Sequence, residues 1–297
     1  MMMRMESLIL IIMLQLGLCQ AFSLSPVSNR QYFHLFSIKN ANDEQDILDR
    51  ENLKDSLQTL ARETKRGFTV TSSQKREISD VISKLCVYNP SNEPASSFYE
   101  DNVVSKERGE DVGSIDGKWK LVYTTAPDIT SLDTTTSPSL FPTLPSAKLG
   151  RIGQECSKEM RTIKNVIEWS RPDWISRLLE GAGEADNGGS SRVLQKVVCE
   201  ASASPDMPSR VQLKLAGFEL LGDIGNNDSQ SQGQRSPLAF IKEGPAKILA
   251  NNPVSLRGPL KAPFGFFDIL YLDENMRIIK TGQGYLAVNV REDDEWF

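Results

Sequence analysis

Residues 116–125 read DGKWKLVYTT, and the alternation in this stretch decides the fold. Large apolar side chains recur there at every second position, a period that is typical of a half-buried strand: Trp119, Leu121 and Tyr123. Similar segments follow at 149–156, 162–170, 192–203, 209–217, 264–272, 276–281 and 284–291, with a tight turn at 273–275. Because few helical segments separate them, the sequence predicts an antiparallel β-barrel or sandwich.

Two amphipathic helices are predicted before the strands. In residues 43–64, apolar side chains recur at helical spacing, and most of the opposite face is acidic. Thr71 and Gln74 form a capping-box pattern that starts a second helix. The sequence therefore predicts a mainly β chain with N-terminal helices, helical over 43–90 and β over 115–292.

The N-terminal 42 residues have the pattern of a targeting presequence. Residues 8–18 (LILIIMLQLGL) are apolar, follow Arg4 and are too few to span a bilayer. Small residues precede Phe22, which predicts a signal peptide over 1–21. Residues 22–42 contain no acid and several serines, as transit peptides do. The two parts together resemble the presequence of algae with secondarily acquired plastids.

The charge and the histidine content exclude several classes of function. The net charge is −5, and Lys and Arg are scattered, which argues against nucleic-acid binding. The one histidine, His34, falls in the predicted presequence. A mature chain without histidine has no Ser-His-Asp or Cys-His site and no histidine metal ligand. We therefore expect neither a metal, a cofactor nor a catalytic residue. The acidic run at 292–295 is expected to be a solvated tail rather than a weak cation site.

The cysteines indicate a reducing compartment. Beyond the predicted signal peptide the chain has three, an odd number without a C-x-x-C pair: Cys86, Cys156 and Cys199. A disulfide framework or zinc site is not expected from this spacing, and a plastid interior fits it better than an oxidising exterior.

Four segments resemble the plastid lipid-associated protein/fibrillin family. Residues 53–89 carry its R-G turn between two helices, and residues 117–125 carry its G-x-W-x-L-x-Y-T-T strand. Residues 152–154 resemble its short I-x-Q pattern, and residues 267–278 resemble its L-D-T-x-Y-L-D-E-D-L-R-I block. Departures include Lys280-Thr281, where an R-G pair is usual. The resemblance extends over about 43–292, and four segments carry it: 53–89, 117–125, 152–154 and 267–278.

The resemblance implies a lipocalin-like barrel preceded by helices, in a plastid protein of the stroma, plastoglobules or thylakoids. It also implies non-catalytic binding, storage or transport of carotenoids, quinones, fatty acids or related lipids. A barrel of about eight strands holds one small ligand, and the aromatic strands supply candidate lining residues: Trp119, Tyr123, Phe267, Ile269 and Tyr271. The same residues fill a solid core equally well.

Two other functions remain open. One is a structural coat on plastid lipid bodies or membranes, without a cavity. The acidic face of the first helix argues mildly against contact with anionic lipid. The other is a lipid-modifying cyclase or isomerase, for which Asp268 and Arg277 are the candidate polar pair; a hairpin salt bridge is their simpler interpretation.

A further set of residues is assigned a structural role. In lipocalin-like barrels the tryptophan of the first strand lies at the closed end beneath an arginine. Arg291 and Arg277 are the two candidates for covering Trp119, and chain order favours Arg291. Gly117 is expected to allow a close approach of the chain, and Asp273 belongs to the hairpin of the family block.

We predict that the protein loses residues 1–21 and then a segment ending near residue 42, because a signal-like block precedes an acid-free one. N-terminal sequencing of the mature protein tests this. A mature N-terminus within residues 1–30 would contradict two-step processing.

Overall fold

The described chain begins with a pair of helices. The computed structural model describes residues 44–99, 113–132, 148–170, 192–223, 246–247, 249–257 and 263–296. The predicted presequence segments 1–21 and 22–42 lie outside them. Helix α1 spans Glu44–Glu63 and helix α2 spans Ser72–Val87, joined through a 3-10 turn at Lys65–Gly67.

The capping box predicted for α2 is present. The backbone N–H of Gln74 donates to Thr71 Oγ1 at 3.3 Å, and the N–H of Thr71 donates to Gln74 Oε1 at 3.1 Å. Two otherwise unpaired donors at the helix start are satisfied in this way.

The described strands form one antiparallel sheet that closes on itself. They are β1 (Gly117–Thr124), β2 (Lys148–Ser157), β3 (Thr162–Ser170), β4 (Arg192–Ser204), β5 (Met207–Asp223), β6 (Val254–Arg257), β7 (Pro263–Leu272), β8 (Met276–Thr281) and β9 (Leu286–Arg291). The short helix α3 (Pro127–Thr130) follows β1. Eight strands close the barrel in the order β1-β2-β3-β4-β5-β7-β8-β9. The predicted lipocalin-like barrel with preceding helices is confirmed.

Strand β5 is longer than predicted, and its edge away from β4 pairs with two strands. Residues 210–214 pair with β7, whereas residues 217–220 pair with β6, which the sequence did not reveal. Strand β6 has four residues, and three of them are exposed. A short exposed edge strand has no burial alternation, so its sequence gives no period-two signal.

Two β-bulges decide which side chains enter the barrel. The register of β1 against β9 shifts between Leu121 and Tyr123, and that of β7 against β8 shifts between Ile269 and Tyr271. Each extra residue turns the following side chain to the opposite face. Trp119 and Ile269 therefore face inward, whereas Tyr123 and Tyr271 face outward.

The two larger hydrophobic clusters follow from these orientations. The interior cluster contains Trp119, Phe267 and Ile269, and a 3-10 turn at Ser96–Phe98 adds Phe98 to it. The outer cluster packs α1 and α2 against Tyr123 and β7–β9: Leu57, Leu60, Ile78, Ile82, Leu85, Tyr271, Met276, Ile278 and Val288.

The C-terminal segment ends in the fold: residues 293–295 of the acidic run are exposed, as expected of a solvated run, but the residue that follows them is buried. Trp296 is 2% exposed and packs with Val166 and Leu194 on the outside of the barrel. Arg151 lies 5.0 Å from the indole centroid and donates to the Trp296 carbonyl oxygen at 2.8 Å. The aromatic residue beyond the acidic run anchors it.

The described residues contain three free thiols, and burial raises the pKa of Cys86 and of Cys199 to about 12. Within the same residues, no helix is long and apolar enough to cross a membrane.

The R-G turn between the helices holds them against the barrel, and Gly67→Ala should destabilise it. Gly67 has φ +95°, and an added Cβ would lie 2.3 Å from the carbonyl oxygen of Thr124. We expect a loss of roughly 2–5 kcal/mol, the sum of left-handed strain and overpacking, measured by chemical denaturation.

Gly284→Ala is the matched control. Gly284 has φ +87°, but its nearest atom would be 3.9 Å from a new Cβ. It should cost only the conformational part, about 1–2 kcal/mol. Equal losses for the two variants would show that the contact with Thr124 is unimportant.

Candidate functional site

The closed end of the barrel is built around a fully buried indole. Trp119 is 0% exposed, and its Nε1 donates to the carbonyl oxygen of Ile115 at 2.7 Å. Phe98 and Ile115 complete the apolar floor beside it. Water is excluded from the indole, so the buried polar groups beside it depend on partners within the protein.

Arg291 closes the floor from below. Its guanidinium carbon lies 4.2 Å from the Trp119 centroid. The same group donates to the carbonyl oxygens of Ser114 and Asp116 at 2.7 Å and of Glu274 at 2.6 Å. Gly117 has φ +111°, and an added Cβ would lie 2.6 Å from Arg291 Nη1. The missing side chain at residue 117 is what admits the guanidinium.

Arg277 enters the barrel itself. It is 0% exposed, and its guanidinium carbon lies 4.8 Å from the Trp119 centroid. Nη1 donates to Cys156 Sγ at 3.3 Å, Nη2 donates to Gln154 Oε1, and the buried Nε has no partner. Desolvation lowers the pKa of this guanidinium. No carboxylate in the described part of the chain pairs with it.

Uncharged polar side chains surround this arginine. Gln154 Nε2 donates to Asn165 Oδ1 at 2.7 Å, and these two residues face each other across β2 and β3. Asn289 pairs with both Leu121 and Arg277 in register, is 2% exposed and has an unpartnered Nδ2. The interior thus carries an excess of hydrogen-bond donors near its floor.

The other half of the interior is mainly apolar, with Gln195 as a polar member, and it is more open. The register places Ile167, Val197 and Phe218 on the same inner face as Gln154 and Asn165. These inward-facing side chains are half-buried, whereas the outward-facing Val166 and Leu194 between them are buried. An inner wall that is more exposed than the outer one indicates open space within the barrel.

The candidate lining residues lie on both the inner and the outer face of the barrel wall. Trp119, Phe267 and Ile269 face inward and are buried at the floor. Tyr123 and Tyr271 do not line the interior, because the two bulges place them under the helices. Their assignment as cavity lining is corrected: the period-two pattern was extended across residues that interrupt it.

The polar candidate residues likewise lie on different faces of the sheet. Asp268 lies on the outer face in a two-pronged ion pair with Arg210, at 2.7 Å and 2.9 Å. Arg277 is inside, so the candidate pair of Asp268 and Arg277 is not formed. Asp273 ties the hairpin to α1: it accepts from Tyr271 Oη at 2.6 Å and pairs with Lys54 at 2.8 Å. Burial opposes ionisation, but these partners hold the pKa of Asp273 below its usual value.

The comparisons with known proteins agree with the family resemblance of the sequence motifs. Residues 51–182 match the family model PAP_fibrillin. The chain is 30% identical to the probable plastid-lipid-associated protein 10, chloroplastic, of Arabidopsis thaliana, over 80% of this chain and 75% of that protein. It is 25% identical to the plastid-lipid-associated protein, chloroplastic, of Citrus unshiu (83% and 70%) and to plastoglobulin-1, chloroplastic, of Pisum sativum (82% and 61%). No solved structure matches the chain significantly.

We predict that Arg291→Lys destabilises the protein by about 1–3 kcal/mol, because an ammonium group cannot stack on Trp119 and reach three carbonyl oxygens together. Chemical denaturation measures this. Arg257→Lys is the control: that side chain is 69% exposed and pairs with Glu219, so its change should stay within about 0.5 kcal/mol. Equal effects of the two substitutions would contradict the assigned role of Arg291.

Proposed function

The chain belongs to the PAP_fibrillin family of plastid lipid-associated proteins, and on this basis we propose that it binds a lipophilic small molecule inside its barrel without converting it. The observation that carries the proposal is the contrast between the two ends of the interior. Side chains at the floor are buried, whereas apolar side chains further along the inner face are half-buried. Ligand sites in proteins are typically concave and mainly apolar, with a few placed polar groups.

The described inner wall suits a ligand with an elongated apolar part. Ile167, Val197 and Phe218 contribute aliphatic and aromatic surface. Leu215 and Leu220 lie on the same face, opposite Cys199 and Gln195 in register. Carotenoids, quinones, fatty acids and related lipids all present such a part. Burying it against these side chains gains about 25 cal/mol for each Å² removed from water.

A binding role is supported over a catalytic one by the arrangement of the polar groups. The candidate pair of Asp268 and Arg277 is split between the two faces of the sheet, and Asp268 is held by Arg210. The chain has no histidine after His34, so proton transfer near neutral pH would depend on strongly shifted groups. The alternative of a lipid-converting cyclase or isomerase therefore lacks its candidate acid–base pair inside the described part of the barrel.

The proposed location is the plastid. The names of the relatives include "chloroplastic", and one of them is a plastoglobulin. The segments 1–21 and 22–42 support delivery by a signal peptide followed by a transit peptide, as in a secondary plastid. Residence in the stroma, at plastoglobules or at thylakoids is part of the proposal.

We expect the purified protein to bind at least one of a carotenoid, a quinone and a fatty acid saturably, observed by quenching of tryptophan fluorescence. Val197→Phe, which places a larger side chain on the half-buried inner wall, should weaken that binding about tenfold or more by steric exclusion.

Gln212→Phe is the matched control, since Gln212 is exposed and pairs with Phe266 on the outer face of β5 and β7. It should leave the affinity within about twofold. Absence of saturable binding to all three lipids would instead favour the alternative of a structural coat protein without a ligand cavity.

A further inference from the structure

Arg277 is an exception among the buried charges of this protein. The described residues contain six buried charged side chains: Lys54, Glu168, Lys196, Glu219, Asp273 and Arg277. The first five are in ion pairs with residues of opposite charge. Arg277 is more deeply buried than any of them and has no carboxylate partner in the described chain. A buried and unpaired charge is costly, so its retention calls for a counter-charge.

The groups around Arg277 are donors that lack an acceptor. Its two hydrogen-bonded nitrogens reach only a thiol and an amide oxygen, on Cys156 and Gln154, and its Nε reaches none. The unpartnered Nδ2 belongs to Asn289, which stands directly opposite Arg277 on the neighbouring strand. Because Arg277 and Asn289 are 0% and 2% exposed, an anionic oxygen reaches them by displacing Gln154 Oε1. There it would neutralise the guanidinium and offer an acceptor to the Asn289 amide.

This polar floor is connected to the apolar inner wall. Gln154 contacts Arg277 on one side and Asn165 on the other, and both Gln154 and Asn165 are half-buried inside the barrel. Val197 stands opposite Asn165 and continues the wall. A carboxylate oxygen of a ligand can replace Gln154 Oε1 as the acceptor of the hydrogen bond from Arg277.

From this arrangement we infer that the barrel binds an acidic amphiphile head-first, with its carboxylate on Arg277 and Asn289 and its apolar chain along the half-buried wall. This inference rests on the proposed function and narrows it to one class of ligand. A carotene or a quinone offers no anion and would leave the buried guanidinium unpaired. A long-chain fatty acid has both the charge and the apolar chain that the interior accommodates.

The test compares palmitic acid with cetyl alcohol, which has the same chain length and no charge, at a pH where the free acid is ionised. The wild-type protein should bind the acid about tenfold or more tightly than the alcohol, because hydrogen bonds to a charged group are the stronger ones. In Arg277→Gln the ratio of the two affinities should fall to about one. Arg210→Gln removes the same charge from the outer face and should keep the wild-type ratio.

A second variant covers the case in which Arg277→Gln does not fold. Asn289→Asp leaves Arg277 in place and supplies a carboxylate from the facing strand position. This internal acid should compete with the ligand head, lowering the affinity for palmitic acid about tenfold or more and that for cetyl alcohol much less. The same affinity ratio as in the wild-type protein would overturn the role of Arg277.

The outcomes separate the two proposals. Equal wild-type binding of the acid and the alcohol overturns head-group recognition and leaves lipid binding intact. Binding of neither compound, together with no binding of a carotenoid or a quinone, overturns the proposed function itself. A preference for the acid that persists in both Arg277→Gln and Asn289→Asp places the recognition of the charge elsewhere.

Discussion

The guanidinium groups of Arg291 and Arg277 both lie against the indole of Trp119, with carbon-to-centroid distances of 4.2 Å and 4.8 Å. Two cations can share this apolar site because the face of an indole attracts positive charge. Each arginine then does something different. Arg291 joins β9 to the backbone around Ser114 and Asp116, and so seals the floor. Arg277 extends from β8 across the interior towards β2, and so gives the sealed end a positive charge.

Much of this architecture could be predicted from sequence. The alternation at Trp119 and the helical spacing before it depend only on local periodicity, and the helices and most strands follow from it. The bulges could not be predicted, because an extra residue in a strand changes no composition, and they reversed the orientation of Tyr123 and Tyr271. The docked tail was missed for a related reason: the charge of 292–295 was given more weight than Trp296, which anchors it.

The polar interior was missed although a signal for it exists. Gln154 lies in phase with Ile152 and Cys156 on β2, so its position predicts an inward side chain. Asn289 likewise falls in phase with Ala287, which packs against the interior cluster. Polar side chains at inward positions cost free energy unless they are hydrogen-bonded. For that reason they indicate a functional site more specifically than the aromatic residues predicted to line the cavity. Their partners lie on distant strands, which a single sequence cannot pair.

The outer face shows how the protein treats charge when no ligand is involved. Glu168 accepts from Arg151 at 2.7 Å and from Arg192 at 3.0 Å, and these partners hold its pKa below the usual value although burial opposes this. Lys196 pairs with Glu155 at 2.7 Å. Neutralisation within the chain is thus the rule outside the barrel. The exception at Arg277 lies inside it, where an apolar ligand would be enclosed.

The central claim is that this interior holds a lipid in the living plastid. The most direct measurement is purification of the protein from its native plastid, extraction of bound small molecules and their identification and quantification by mass spectrometry. The account predicts one lipophilic molecule in near-stoichiometric amount, with an acidic head group and an apolar chain. Recovery of protein without any enriched small molecule, from material shown to be folded, would contradict it.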